Sequence, residues 1–556
     1  MKKRGKVFCD MPPFFKQKKQ KKADQNDRDN EDRKEADSQP DKERNEPISL
    51  SLKQNMKKLS ERFGNSADVV IRRLKIGKEE LPAAIVYIAG LVDEQLVSQS
   101  LLEDLIDIPS VQPEQAVCLI YDKTLAIGGV KEAEKWKSLY AGLVAGSTLI
   151  FVDGADKALI ASTEGGEHRS IQEPSTQVSF RGPRQGFTES LQTNISMIRR
   201  YVKTPDVWVE KMEIGHETNT DVALMYINGI CDKKLIKEVR KRLKHIDIDS
   251  ILESGYIEQL IEDAPFSVFP TVYHTERPDV VAGNLLEGRF AIIVDGTPFV
   301  LIAPALFIQF FQSVEDYYSR FDIATSIRVL RVLIFFISLV APGIYVAATT
   351  FHQEMIPTQL LIVIAAQRET VPFPAVIEAL TMEVAFEILR EAGVRLPRVV
   401  GSAVSIVGAL VIGQAAVQAG IVSPAMVIVV ALTAIASFAT PAFDMAISAR
   451  LIRFLFILSA AVMGFYGLIL GIIMMFVHLC GLRSFGFPYM SPLAPLTPGG
   501  LKDSLLRAPL WADEKRPGLL VQENNRRQGE HQRPKPETSR GMVNKDVEEG
   551  DGNEKT

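Results

Sequence analysis

Charged residues thin out sharply after about residue 321, and residues 332–351 form an unbroken apolar run. A run of about 20 residues at about 1.5 Å rise per residue matches a hydrocarbon core about 30 Å thick. Further apolar stretches follow, so the sequence predicts a multi-span α-helical membrane domain over 323–482, with spans at about 327–351, 399–422, 424–441 and 454–479. Arg328 and Arg331 precede the apolar run 332–351 and can snorkel to the cytosolic face. Pro342-Gly343 should kink or interrupt the first span, and Ser423-Pro424 separates the second from the third.

The segment 356–391 fits this pattern poorly. Pro372 and Pro374 break it, and the helix predicted over 375–391 carries Glu378, Glu383, Glu387, Arg390 and Glu391. So many charges cannot face lipid, so this helix must face protein, water or the interface. Charge does not fix the topology, because Arg390, Arg395, Arg398, Arg450 and Arg453 cannot all lie inside with simple spans.

The remaining chain reads as α/β, giving an α+β/α protein whose cytosolic region precedes the membrane domain. An internal repeat organises that region. AIVYIAGLVDEQLV (84–97) matches ALMYINGICDKKLI (223–236), and LVAGSTLIFVDGADKALIAS (143–162) matches LLEGRFAIIVDGTPFVLIAP (285–304). Each member of the second pair places Asp-Gly between apolar runs, at Asp153-Gly154 and Asp295-Gly296, a strong hairpin signal. Two related subdomains are expected, at 60–165 and 206–322, joined by a linker at 166–205 that carries Arg181, Arg184, Arg199 and Arg200. Thr188 is the expected cap of a helix in that linker. The apolar stretch 290–303 is therefore read as a hairpin, and 304–320 as a helix leading to the membrane.

Residues 1–59 form a charged tail and 483–556 a polar one, both too poor in apolar residues to build a core. The basic cluster Lys16–Lys22 either stays solvated or rests on anionic lipid. No run near the amino terminus has the form of a signal peptide. A net charge of −4 argues against nucleic acid as a partner, and the 4 cysteines form no CxxC pair.

No phosphate loop, metal-spaced cluster or nucleophile motif occurs, so neither an enzyme nor a cofactor or metal site is expected. Interest falls instead on polar membrane positions. Gly401, Ser405, Ala409 and Gly413 recur every four residues and form a small-residue stripe for helix contact, within a monomer or between copies. Gln414 and Gln418 make a polar patch on the same segment. Glu383, Glu387 and Glu391 fall on one face of the charged helix. Glu387 and Glu391 either pair with neighbouring arginines, or the face contributes an acidic ring to a cation pathway, with Glu378, Glu383 and Glu387 as candidate pore or polar membrane positions.

Several long motifs, among them RGPRQGFTESLQTNISMIRR (181–200), RPDVVAGNLLEGRFAIIVDGTPFVLIAP (277–304), FFQSVEDYYSR (310–320), PFPAVIEALTMEVAFEILREAGVRLP (372–397) and VGALVIGQAAVQAGIVSPAMVIVV (407–430), resemble the A subunit of GerA-type spore germinant receptors. The resemblance covers about 60–515. It implies a receptor in the spore inner membrane, with a permease-like B subunit that binds the germinant and a lipoprotein C subunit. It also implies a homo-oligomer forming a nutrient-gated cation channel; the alternative is a non-conducting scaffold for downstream germination proteins.

Overall fold

The computed structural model describes residues 46–76, 80–101, 112–123, 129–165, 173–174, 177, 180–395, 413–497, 499–521, 524–529 and 532–534. The chain divides into two units, Met1–Arg169 with Ile195–Trp208, and Ser170–Asn194 with Val209–Thr556.

The first unit is built on a five-stranded antiparallel sheet. Its strands β1 (Val69–Ile76), β2 (Leu81–Ile88), β3 (Val130–Ala133), β4 (Thr148–Val152) and β5 (Ala158–Ala161) lie in the order β1-β2-β4-β5-β3. Strand side chains alternate between faces, so each face carries its own core. Ile85, Tyr87, Ile150 and Leu159 pack with Ala116, Val117 and Ile120 of helix α2 (Pro113–Lys123). Ala84, Val86 and Phe151 pack on the other face with Leu52, Met56 and Leu59 of α1 (Leu52–Arg62) and with Trp136, Leu139 and Leu143 of α3 (Trp136–Ala145). Arg199 of helix α4 (Leu191–Tyr201) is buried in this unit and bonds Asp68 at 2.5 Å.

The second unit holds a sheet of the same strand order. Here β6 (Val207–Ile214), β7 (Thr220–Ile227), β8 (Tyr273–Thr275), β9 (Phe290–Val294) and β10 (Val300–Ala303) run β6-β7-β9-β10-β8. Helices α5 (Lys233–His245), α6 (Ser254–Ile261) and α7 (Pro278–Leu286) accompany it. Residues 290–303 form the β9–β10 hairpin, its strands buried throughout.

The linker assignment at 166–205 needs correction. Asp295 Oδ1 accepts from Leu191 N at 2.9 Å, and Gly296 N donates to Glu189 O at 2.8 Å. In the first unit Asp153 Oδ1 accepts from Leu52 N at 2.8 Å, and Gly154 N donates to Leu50 O at 2.8 Å. Asn55 and Asn194 both bridge the chain six residues upstream, at Ser49 and Thr188. Helix α4 is therefore the counterpart of α1 and opens the second repeat. Thr188 does not cap it; Thr193 N reaches Ser190 Oγ at 3.4 Å.

Residues 304–320 are not one helix but a 3-10 turn, Phe307–Phe311, and a single helical turn, Glu315–Tyr318. In a 3-10 turn side chains three apart eclipse, which suits the burial of Phe307 and Phe310 against Tyr489. Tyr489 lies within the stretch read as a polar tail, yet it is wholly buried, as are Leu520 and Val521.

Among the described residues, five longer helices follow in this unit: α8 (Phe321–Thr350), α9 (Thr358–Glu369), α10 (Ala375–Arg395), α11 (Pro424–Ser437) and α12 (Phe443–Gly481). Among the described residues, α8 and α12 are long and apolar enough to cross a membrane, while α11 is shorter. Pro342-Gly343 does not interrupt α8. Gly343 instead lets the helix approach a neighbour, since a Cβ there would lie 3.2 Å from Phe456 O. Most of the span expected at 399–422 lies outside the described residues.

Helix α12 is a hairpin of two arms. Gly464 has φ 59° and ψ −139°, and a Cβ on Gly471 would lie 2.6 Å from the Phe456 ring. A straight helix would separate those residues by about 22 Å. Both ends of α12 meet one loop: Ser448 Oγ donates to Val268 O at 2.5 Å, and His478 Nε2 lies 3.0 Å from Ser267 Oγ. The turn at Gly464 meets His352, just past the end of α8. The chain after α12 thus returns to the side of the second sheet, where Ser484 Oγ donates to Thr271 O at 2.6 Å.

Candidate functional site

Helix α10 carries a row of carboxylates because Glu378, Glu383 and Glu387 recur at four- and five-residue spacing. Glu378 and Glu383 are buried, at 1% and 5% exposure. Each finds a partner on a neighbouring helix. Glu378 Oε2 accepts from Ser423 N at 3.0 Å, at the start of α11, while Arg368 of α9 stands 3.5 Å from Oε1. Ser423 also caps α11 through Met426 N and meets the Tyr345 hydroxyl of α8 at 3.1 Å. The Glu378 carboxylate therefore ties three helices around one buried point.

One turn and more along α10, Glu383 Oε2 accepts from Arg453 Nη1 at 2.8 Å, and its Oε1 lies 3.4 Å from Thr433 Oγ1 of α11. Glu387 pairs with Arg450. The two pairs run in opposite senses along α10 and the first arm of α12, as antiparallel helices require. Arg453 is buried, and its Nε and Nη2 have no hydrogen-bond partner among the described residues. An unpaired charge in such a place is expensive, so each member depends on the other.

The other polar positions lie apart from this row. Gln414 and Gln418 are exposed. Gly413 is buried, and a Cβ there would sit 3.6 Å from Val427 Cγ1 of α11. Gly401, Ser405 and Ala409 lie outside the described residues, so the structure does not place the rest of the stripe.

The first arm of α12 carries Arg450 and Arg453 and also touches the second sheet. His274 Nδ1 of β8 lies 3.0 Å from Asp444 Oδ2, less than two turns before Arg450. Ser448, which bonds the Val268 carbonyl, stands between them.

The model of the Bacillus/Clostridium GerA spore germination protein family matches residues 57–519. The chain belongs to the GerA family. Among the relatives of this GerA protein, Spore germination protein KA of Bacillus subtilis (strain 168) is 74% identical over 516 residues, covering 93% of this chain and 95% of the relative. Spore germination protein A1 of the same organism is 40% identical, covering 80% and 91%. The uncharacterized membrane protein YfkQ, also from that organism, is 46% identical, covering 88% and 95%. The crystal structure of the N-terminal domain of the A subunit of the Bacillus megaterium spore germinant receptor GerK3 aligns with 48% identity, covering 48% of this chain and 99% of that one, at a TM-score of 0.37.

In this GerA family member the sequence marks the carboxylates of α10 and offers neighbouring arginines as their partners, without singling out Arg450 and Arg453. The signal was present: two arginines one turn apart can meet two glutamates one turn apart on an antiparallel helix. Arg368, Tyr345 and Ser423 offered no comparable pattern.

Proposed function

We propose that this chain is the A subunit of a spore nutrient germinant receptor. On this reading it sits in the spore inner membrane as a multi-span protein with its amino-terminal region cytosolic. It assembles with copies of itself, with a permease-like B subunit and with a lipoprotein C subunit, and the oligomer gates a cation pathway.

One observation carries the gating part of the reading. The arm that holds Arg450 and Arg453 against the α10 carboxylates is also the arm met by β8 at Asp444 and by the loop preceding β8 at Ser448. Motion of the sheet shifts that arm and with it the two acid–arginine pairs. Separated from their arginines, Glu383 and Glu387 present carboxylates to a passing cation, the role charged rings take in cation channels.

A specific feature favours the second reading, a non-conducting scaffold: the carboxylates are neutralised within one chain, leaving no open acidic ring. Cation efflux from proteoliposomes containing the full chain with its partner subunits separates the two. Nutrient-dependent efflux supports the channel, whereas nutrient binding without efflux, at normal insertion, supports the scaffold.

A further inference from the structure

A cavity of about 1160 Å³ lies in the second unit, where α7 and the loops of the second sheet face the ends of α10, α11 and α12. Its two halves differ in chemistry. Phe386, Leu389, Ile435 and Phe438 make an apolar wall from the membrane helices, while Arg277, Arg289, Arg390 and Arg527 bring guanidinium groups to the other half.

Three observations set this cavity apart from a packing void. First, four guanidiniums meet three carboxylates there, those of Asp279, Glu287 and Glu315. Arg277 is held by Asp279, Arg289 by Glu287, and Arg527 by Asp513 from outside the lining, with Glu287 farther off at 3.7 Å. Arg390 is left with no ion pair or hydrogen bond among the described residues and lies over the Phe443 ring at 5.7 Å. Second, Arg289 is 95% buried by its exposure of 5%, yet its Nε has no hydrogen-bond partner among the described residues. A buried donor left unpaired marks a guanidinium whose hydrogen-bonding capacity the surrounding chain does not use up. Third, Gly283 lines the cavity from α7, and a Cβ there would meet nothing within 4 Å. Glycine weakens a helix interior relative to alanine, and packing does not require it here. Its effect is to keep the space open.

We propose that this cavity binds an amphiphile with an anionic head, the head taken by Arg390 and Arg289 and the apolar part by Phe386, Leu389, Ile435 and Phe438. Two sources share that chemistry: an anionic phospholipid from the adjoining leaflet and a soluble amphiphile such as an alkyl phosphate. The proposal does not depend on whether the chain conducts ions.

The test is the melting temperature of the full-length chain in neutral detergent, with phosphatidylglycerol, phosphatidylcholine, octyl phosphate or inorganic phosphate added. Phosphatidylglycerol should raise it by several degrees and phosphatidylcholine should not, since a ligand that binds only the folded state stabilises it. A rise with octyl phosphate but not with phosphatidylglycerol would assign the site to a soluble amphiphile and still support it. Arg390→Gln and Gly283→Leu should each abolish the rise; Leu fills the space without meeting a neighbouring atom at its Cβ. Should one variant melt low without ligand, the other decides. No rise with either anionic amphiphile overturns the proposal, as does an equal rise with phosphatidylcholine or inorganic phosphate, or a rise that survives in both variants.

Discussion

Glu383 and Arg453 meet at 2.8 Å inside the helical part of the second unit, each about 95% or more buried. Removing one partner leaves the other charge uncompensated, at a cost of about 3–5 kcal/mol. Glu383→Gln and Arg453→Gln alone should therefore lower the amount of folded protein recovered from membranes. The double variant should recover much of it, because neither charge remains to be stranded. Western blotting of membrane fractions measures this, and equal abundance in all four proteins would show the pair to be energetically idle.

The Asp-Gly turns cap helices from a distance. Asp295→Ala removes the acceptor for Leu191 N, and Asp153→Ala that for Leu52 N. Loss of a capping side chain costs about 0.5–2 kcal/mol. Urea unfolding of a soluble fragment spanning both sheets should give similar losses for the two substitutions, since they occupy equivalent places. A loss confined to one site would contradict that equivalence.

The repeat was legible at its centre and not at its edge. Tyr87 and Tyr226, and the two Asp-Gly turns, stood out because strands and tight turns restrict residue choice. The opening helix was missed although Ser51-Leu52 and Asn55 recur as Ser190-Leu191 and Asn194. A helix buries only one stripe, so its few fixed positions are diluted by free ones. The α12 hairpin was hidden for a different reason. Gly464 sits in an apolar run rich in small residues, and the reversal is revealed by contacts across the two arms, such as that between Phe456 and Gly471. The carboxylates of α10 were legible as charges out of place, but their partners lay on another helix, beyond local pattern.

The hairpin fixes where the segment after α12 lies. Val462 is exposed beside the turn at Gly464, while Glu514 follows the return to the second sheet. In a background where the native cysteines are serine, Glu514→Cys should be labelled by an impermeant maleimide from the same membrane side as the second sheet. Val462→Cys should not be labelled from that side. Labelling of both from one side would rule out the hairpin as a crossing pair.

The contact between the sheet and α12 should weaken as pH rises. Burial pushes Glu258 up from 4.5 to about 7, with nearby Asp444 adding to the rise and His274 opposing it. Burial pulls His274 down from 6.5, but the Asp444 hydrogen bond and charge outweigh it and leave a net rise. Both groups hold protons more tightly when folded, so the Glu258 contribution is complete below about 4.5 and lost as pH climbs through about 7, and the His274 contribution is complete below 6.5 and lost above it. The melting temperature of the full chain should fall between pH 5 and pH 8, and Glu258→Gln should flatten the slope. A melting temperature rising over that range would contradict the assignment.

The acid–arginine pairs are the proposed gate. Its most direct measurement is nutrient-triggered potassium efflux from proteoliposomes holding the complete receptor, with wild-type chain or with Glu383→Gln and Arg453→Gln combined. The double variant strands no charge, so it should recover much of its abundance and yet lose about tenfold or more of the efflux per inserted receptor, about 1.4 kcal/mol or more on the barrier. Efflux of unchanged rate and selectivity from the double variant at equal abundance would contradict the account.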